Sequence, residues 1–507
     1  MAPDSRGPSY PTNREVREKA TAHNIPLDRT EADALLPYVK NTLDSYATVD
    51  RLADSEPNNV PERDGYRPSS DENPYNAFVT KCTVSTGSSG PLEGYSIGLK
   101  DNIALAGIEM TCGSAAFEGY VPSRDATVVT RLLDAGGTIT GKMNMDAMGF
   151  GGSGELSDMG PALNPHDTDY LTGGSSGGNA AAIAGGAVDV AIGTDAGGSV
   201  RRPAAWCGCV GLKPTYGLIP YTGIVSQAPS IDHAGVMARN VRDCALTLEV
   251  IAGDDGLDPR QRTTTVKPYT DAIQPALEQT SSRVGIVPQG FGQNPDATGL
   301  DQTVRSALEQ FEACGATLET CSIPLHDDGA AIWTAINLEE MAALVQTDGL
   351  GRFARGYYDT QYAETFANVR REDAESFPPT FKLALITGQY LADEYQGRYY
   401  ARGQNLRRKL VRAYDRALET VDVLAMPTIP SPPQKVKHDL TQTERIDRSL
   451  GLLTNRAPFN ATGHPAISIP CGQHDGLPVG LSLIGKRGSD ETVLRVADAF
   501  ERLVYRS

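Results

Sequence analysis

From Gly94 onward, short strand-like runs alternate with helix-length segments, and this restricts the chain to an α/β sheet with helices packed on it. Tyr95-Ser96-Ile97-Gly98-Leu99-Lys100 reads as a strand, residues 126–135 (ATVVTRLLDA) as a helix, and Gly136-Gly137-Thr138-Ile139-Thr140 as the next strand. Residues 179–184 form a small-residue helix, and 188–192 a buried strand. Residues 283–287, 302–314 and 316–323 continue the alternation, and 421–426, 466–469 and 479–484 supply closing strands. The stretch 328–421 is more helical and more polar, as a cap or a long insertion would be.

The N-terminal part follows another pattern. Thr12-Asn13-Arg14-Glu15 has the form of a helix capping box, and Asp28 with Glu31 signals a second helix start. Leu35, Leu36, Val39 and Leu43 then recur at helical spacing, so 12–53 reads as two helices. Residues 55–74 are rich in Pro, Asn, Asp and Gly and read as a linker. The plan is an N-terminal helical segment with linker over 1–74 and a main domain over 75–507.

The chain carries 46 basic and 63 acidic residues, a net charge of −17, and no Lys/Arg-rich run, which argues against nucleic acid or an anionic membrane as partner. No signal-peptide pattern or membrane-length apolar run is present, and the 8 cysteines are scattered without a C-x-x-C pair. A cytoplasmic protein with reduced, mostly buried thiols is expected.

Three segments carry chemistry when read together: Gly98-Leu99-Lys100-Asp101-Asn102, Gly173-Gly174-Ser175-Ser176-Gly177-Gly178 and Gly193-Thr194-Asp195-Ala196-Gly197-Gly198-Ser199. Singly they read as a solvated lysine, a flexible loop and a turn. In combination, the third places Ser199 just beyond a buried strand, after a run with almost no side-chain bulk. Backbone N–H groups of Ala196, Gly197 and Gly198 can there approach a substrate and form an oxyanion hole. A serine hydroxyl needs a base. None of the 7 histidines sits in an obvious catalytic context, which leaves Lys100, whose burial would favour the neutral amine. Ser175 can relay the proton between Lys100 and Ser199.

Competing motifs are weaker. Gly136 to Lys142 spells most of a phosphate-binding loop, but Met143 stands where a hydroxyl is needed. Gly149, Gly151 and Gly154 match a dinucleotide fingerprint with no clear strand before it. Gly173 to Gly177 also matches the nucleophile elbow of α/β-hydrolases, which would make Ser175 the nucleophile with a histidine such as His464. No metal-ligand spacing is evident, so no metal is expected.

The three segments resemble the amidase signature family, in which a Ser–cis-Ser–Lys triad is built from the same motifs; carried over by motif, the triad is Ser199, Ser175 and Lys100. The likeness runs through Cys207-Gly208-Cys209-Val210-Gly211-Leu212-Lys213-Pro214-Thr215, Met426-Pro427-Thr428, Ala457-Pro458-Phe459-Asn460 and Gly476-Leu477-Pro478-Val479-Gly480-Leu481, covering about residues 90–487. It implies a mixed β-sheet sandwiched between helices, attack of Ser199 on a small-molecule amide, and an acyl-enzyme hydrolysed by water. It also implies an oxyanion held by N–H groups of Ala196, Gly197, Gly198 and Ser199, with no cofactor. Residues 217–224, 231–235 and 255–261 look like those of stand-alone carboxamide amidases. Amidotransferase subunits form the alternative branch, ester or carbamate hydrolysis by the same site stays open, and so does a homo-oligomer. One departure is the pair Arg201-Arg202, where family members commonly carry one arginine and an apolar neighbour. A structural ion pair accounts for such an arginine; a contact from Arg202 to a substrate carboxylate is the functional reading.

Overall fold

The computed structural model describes residues 8–53, 60–261, 265–273, 280–352, 354–451 and 453–505. The chain forms two units, Met1–Val60 and Pro61–Ser507. The first contains helices Asn13–Ala22 and Arg29–Ala53. Glu15 N–H donates to Thr12 Oγ1 at 3.3 Å and Thr12 N–H to Glu15 Oε2 at 2.7 Å, and Glu31 and Asp28 repeat the exchange at 2.8 and 2.9 Å. These bonds satisfy N–H groups that a helix start leaves without intrahelical acceptors.

The second unit is built on strands β1 (Gly65–Tyr66), β2 (Phe78–Val84), β3 (Ser96–Lys100), β4 (Thr138–Met143), β5 (Val190–Asp195), β6 (Val210–Lys213), β7 (His233–Ala238), β8 (Arg283–Ile286), β9 (Thr317–Thr320), β10 (Val423–Pro427), β11 (Ala466–His474) and β12 (Leu477–Ile484). They join in one 12-stranded mixed sheet, in the order β1-β2-β4-β3-β5-β7-β6-β11-β12-β10-β8-β9. β3 runs parallel to both β4 and β5, and β8 parallel to both β9 and β10. The other neighbours are antiparallel.

Successive residues of the central strands enter different cores, which shows that both faces of the sheet are covered. Val190 and Ile192 of β5 pack with Leu132 of helix Thr127–Asp134 and Leu248 of helix Val241–Ile251. Ala191, between them, packs with Ile183 of helix Gly177–Ala184 and Ala204 of helix Arg201–Cys207. A strand buried on both faces carries apolar residues at every position, which is why 188–192 reads as an unbroken apolar run.

The expected linker needs correction. β1 falls inside the expected linker, pairing Gly65 with Cys82 and Tyr66 with Lys81, and the boundary between the units lies at Val60 rather than at 74. A two-residue edge strand with exposed side chains offers no hydrophobic pattern to read. Residues 54–59 of that stretch lie outside the described residues. β4 runs through the phosphate-loop match, and Lys142 spends its charge in a wholly buried ion pair with Asp101, at 2.9 Å.

The stretch 328–421 folds into helices Gly329–Gln346, Thr360–Glu372, Pro379–Tyr395 and Arg398–Ala417. Among the described residues no helix is long and apolar enough to cross a membrane.

Candidate active site

Because β3 and β5 are parallel neighbours, their C-terminal ends lie side by side. β3 ends at Lys100, and β5 continues past the apolar run to Thr194 and Asp195. Consecutive strand residues point to opposite faces, so these two serve different neighbours. Thr194 turns to Lys100, with Oγ1 2.9 Å from Nζ, and Asp195 turns to Arg201.

Lys100 is wholly buried, and its Nζ is hydrogen-bonded to Ser175 Oγ at 2.8 Å. Burial pushes its pKa down to about 7, although Asp146, Asp195 and Asp232 pull the other way. A large share of the amine is therefore uncharged at neutral pH. Ser175 precedes helix Gly177–Ala184, and the Gly174–Ser175 peptide bond is cis. Asp146 supports this loop from behind. Its N–H donates to Ser175 O at 3.1 Å, and its carboxylate accepts from Gly154 N–H at 3.1 Å and Leu156 N–H at 2.9 Å.

Ser199 stands on the neighbouring loop, tied to the first by Ser176 N–H donating to Ser199 O at 3.1 Å. Its hydroxyl has no hydrogen-bond partner among the described residues, so the Lys100–Ser175 contact does not yet extend to Ser199. Gly198 N–H donates to Asp195 Oδ1 at 2.8 Å, which removes it from the expected oxyanion donors. The N–H groups of Ala196, Gly197 and Ser199 have no partner among the described residues. Gly198 has φ +114°, and a Cβ there would overlap the Arg456 side chain, so only glycine fits this turn.

Asp195 holds the loop through a wholly buried, bidentate pair with Arg201, at 3.0 Å (Nε–Oδ2) and 2.9 Å (Nη2–Oδ1). Burial works against the ionised carboxyl, but Arg201, Lys213 and Asn460 more than offset it and hold Asp195 well below the usual carboxylate range. Arg201 is thus the structural ion pair. Arg202 differs. It faces a cavity of about 260 Å³ that is also lined by Gly174, Ala196, Gly197, Gly198 and Ser199. Trp333, Asn337 and Leu338 of helix Gly329–Gln346 form another wall, with Leu383 of helix Pro379–Tyr395. Trp333 Nε1 donates to Ala196 O at 2.7 Å and so fixes that wall to the Ser199 loop.

The elbow reading fails on geometry. His464 is buried, with Nε2 3.1 Å from Asp415 Oδ1 and Nδ1 2.9 Å from Thr462 Oγ1, and neither ring nitrogen contacts Ser175. Gly149 and Gly151 of the dinucleotide match are cavity wall. No group of three His, Cys, Asp or Glu among the described residues is arranged to hold a metal. Asp146, Thr194, Trp333 and Asn337 escaped the sequence reading. Thr194 and Asp195 at least lay inside a recognised motif, whereas Trp333 and Asn337 come from a distant helix and carry no local signal.

The amidase family model matches residues 77–494 of this sequence. The chain belongs to the amidase family. As a member it is a hydrolase of amide bonds. It is 40% identical to an enantioselective amidase of Rhodococcus rhodochrous, over 94% of this chain and 93% of that one. It is 38% identical to a glutamyl-tRNA(Gln) amidotransferase subunit from Methanosarcina acetivorans, over 82% and 86% of the two chains. Among solved structures, the peptide amidase of Stenotrophomonas maltophilia superimposes with a TM-score of 0.67 at 31% identity, over 82% of this chain and 83% of that one.

Proposed function

We propose that this amidase-family chain hydrolyses a carboxamide to a carboxylic acid and ammonia or an amine through an acyl-enzyme on Ser199. The observation that carries this reading is Lys100: wholly buried, with a pKa near 7, and hydrogen-bonded at 2.8 Å to a serine beside the cavity that Ser199 lines. When an amide is seated, Ser199 Oγ turns toward Ser175. Neutral Lys100 accepts the Ser175 proton as Ser175 accepts that of Ser199, and Ser199 Oγ bonds to the amide carbon. The oxyanion lies against the free N–H groups of Ala196, Gly197 and Ser199, each donor of this type being worth about 3 kcal/mol of barrier. Ser175 then protonates the departing nitrogen and is reprotonated by Lys100. Water, activated through the same serine, releases the acid.

A stand-alone hydrolase is favoured over an amidotransferase component by the extent of the likeness. The Rhodococcus amidase aligns over 94% of the chain, and the Methanosarcina protein over 82%. A fluorophosphonate probe tests the nucleophile. The purified chain should label, Ser199→Ala should not, and the unmodified chain alone should release ammonia from a carboxamide panel. Labelling that persists in Ser199→Ala would refute the assignment.

A further inference from the structure

The cavity beside Ser199 is walled mainly by apolar groups, yet it contains two polar side chains whose bonding is incomplete. Arg202, 4% exposed, donates from Nη2 to Gly451 O at 3.1 Å and lies over the Trp206 ring at 5.9 Å. Its Nε and Nη1 have no hydrogen-bond partner among the described residues, and no carboxylate there lies within ion-pair distance. Burial lowers its pKa to about 10, so it is still a cation at neutral pH. Gly152 makes room for it, since a Cβ at that position would overlap Arg202 Nη1. Asn337, 1% exposed, has neither Oδ1 nor Nδ2 hydrogen-bonded.

Both groups are placed relative to the nucleophile by short links. Arg202 follows Ser199 by three positions, and its N–H donates to Gly198 O at 2.8 Å. Asn337 lies one helical turn beyond Trp333, whose indole grips Ala196 O, so the two residues share a helix face. A buried guanidinium whose nearest electrostatic support, Asp146, lies beyond ion-pair distance, and a buried amide without partners, each cost free energy in the empty site. A ligand supplying an anionic oxygen recovers that cost, because arginine binds carboxylate through a planar fork of charge-assisted bonds.

Resting on the hydrolase reading above, we propose that Arg202 and Asn337 select amides whose acyl chain ends in a carboxylate. The apolar walls take the chain, Arg202 takes the carboxylate, and Asn337 donates to it from the facing helix. Arg201, sealed against Asp195, has no part in this selection.

The test compares monoamides of the linear dicarboxylic acids, from succinic to pimelic, with unbranched fatty amides of equal length. In the unmodified enzyme kcat/KM should favour the carboxylate-bearing member at one of these lengths. Arg202→Met should cut that ratio about 100-fold, and Asn337→Leu about 10-fold. Arg202→Lys, which keeps the charge but not the fork, should fall between the unmodified enzyme and Arg202→Met. A ratio unchanged within about threefold in folded Arg202→Met or Asn337→Leu overturns the proposal. Calorimetry of the same monoamides on Ser199→Ala separates recognition from chemistry. Binding that weakens when Arg202→Met is added supports the proposal even if turnover fails for other reasons. Equal binding with and without Arg202 overturns it, whether or not Ser199 is the nucleophile.

Discussion

Replacing Lys100 by methionine should lower kcat/KM for any amide substrate by about 10⁴-fold, or about 5 kcal/mol of transition-state stabilisation. Methionine fills a similar volume in the wholly buried site without charge or basicity. Ser175 then loses its 2.8 Å contact with Nζ, and the proton leaving Ser199 has no acceptor beyond Ser175. The loss should appear in kcat, because Lys100 does not line the cavity and makes no contribution to ground-state binding. The pH profile carries a second signature. The base works when neutral and burial has lowered its pKa to about 7, so activity should rise with pH through about 7 and level off above it. In Lys100→Met that limb should vanish together with the activity. A variant within tenfold of the parent would remove Lys100 from the mechanism.

The second large effect concerns the platform under Ser199. Asp195→Asn keeps the shape of the side chain and removes its charge, leaving the Arg201 guanidinium wholly buried with Lys213 and Arg456 in its field. Breaking one partner of a buried pair typically costs about 3–5 kcal/mol, and a loss of that size is expected in urea unfolding. The sign with pH follows from the depressed Asp195 pKa. The pair's contribution is complete above the unfolded carboxylate value of about 4 and is lost as pH falls from there. Activity should fall as well, because the Asp195 carboxylate holds Gly198 N–H at 2.8 Å and Val200 N–H at 3.2 Å. A change below about 1 kcal/mol would mean that the guanidinium finds another acceptor.

That Lys100, Ser175 and Ser199 belong to one site is legible in the sequence because the chemistry proposed for them depends on the backbone. Glycine runs that allow close approach leave a contiguous pattern, and β5 declares itself as an apolar run just upstream. Other features left no such trace. β6 and β7 lie in the middle of the sheet, but Gly211 and Lys213 in one and His233 and Gly235 in the other break the apolar run that a strand covered on both faces otherwise shows. The loss of Gly198 as an oxyanion donor depends on Asp195 folding back to cap its own loop, a choice between side-chain and substrate acceptors that composition does not encode. Trp333 and Asn337 reach the site across 134 and 138 positions from Ser199, on a helix whose residues read only as part of a cap. Arg201 and Arg202 are adjacent and chemically identical, and only packing assigns one to Asp195 and the other to the cavity.

The most direct test of the account is the rate of acyl-enzyme formation, measured by quenched flow on a hydrolysed amide between pH 5.5 and 8.5, with the adduct located by peptide mass mapping. The account predicts an adduct on Ser199, forming about tenfold faster per pH unit below 7 and at a constant rate well above it. An adduct on Ser175, or a rate flat across that range, would contradict it.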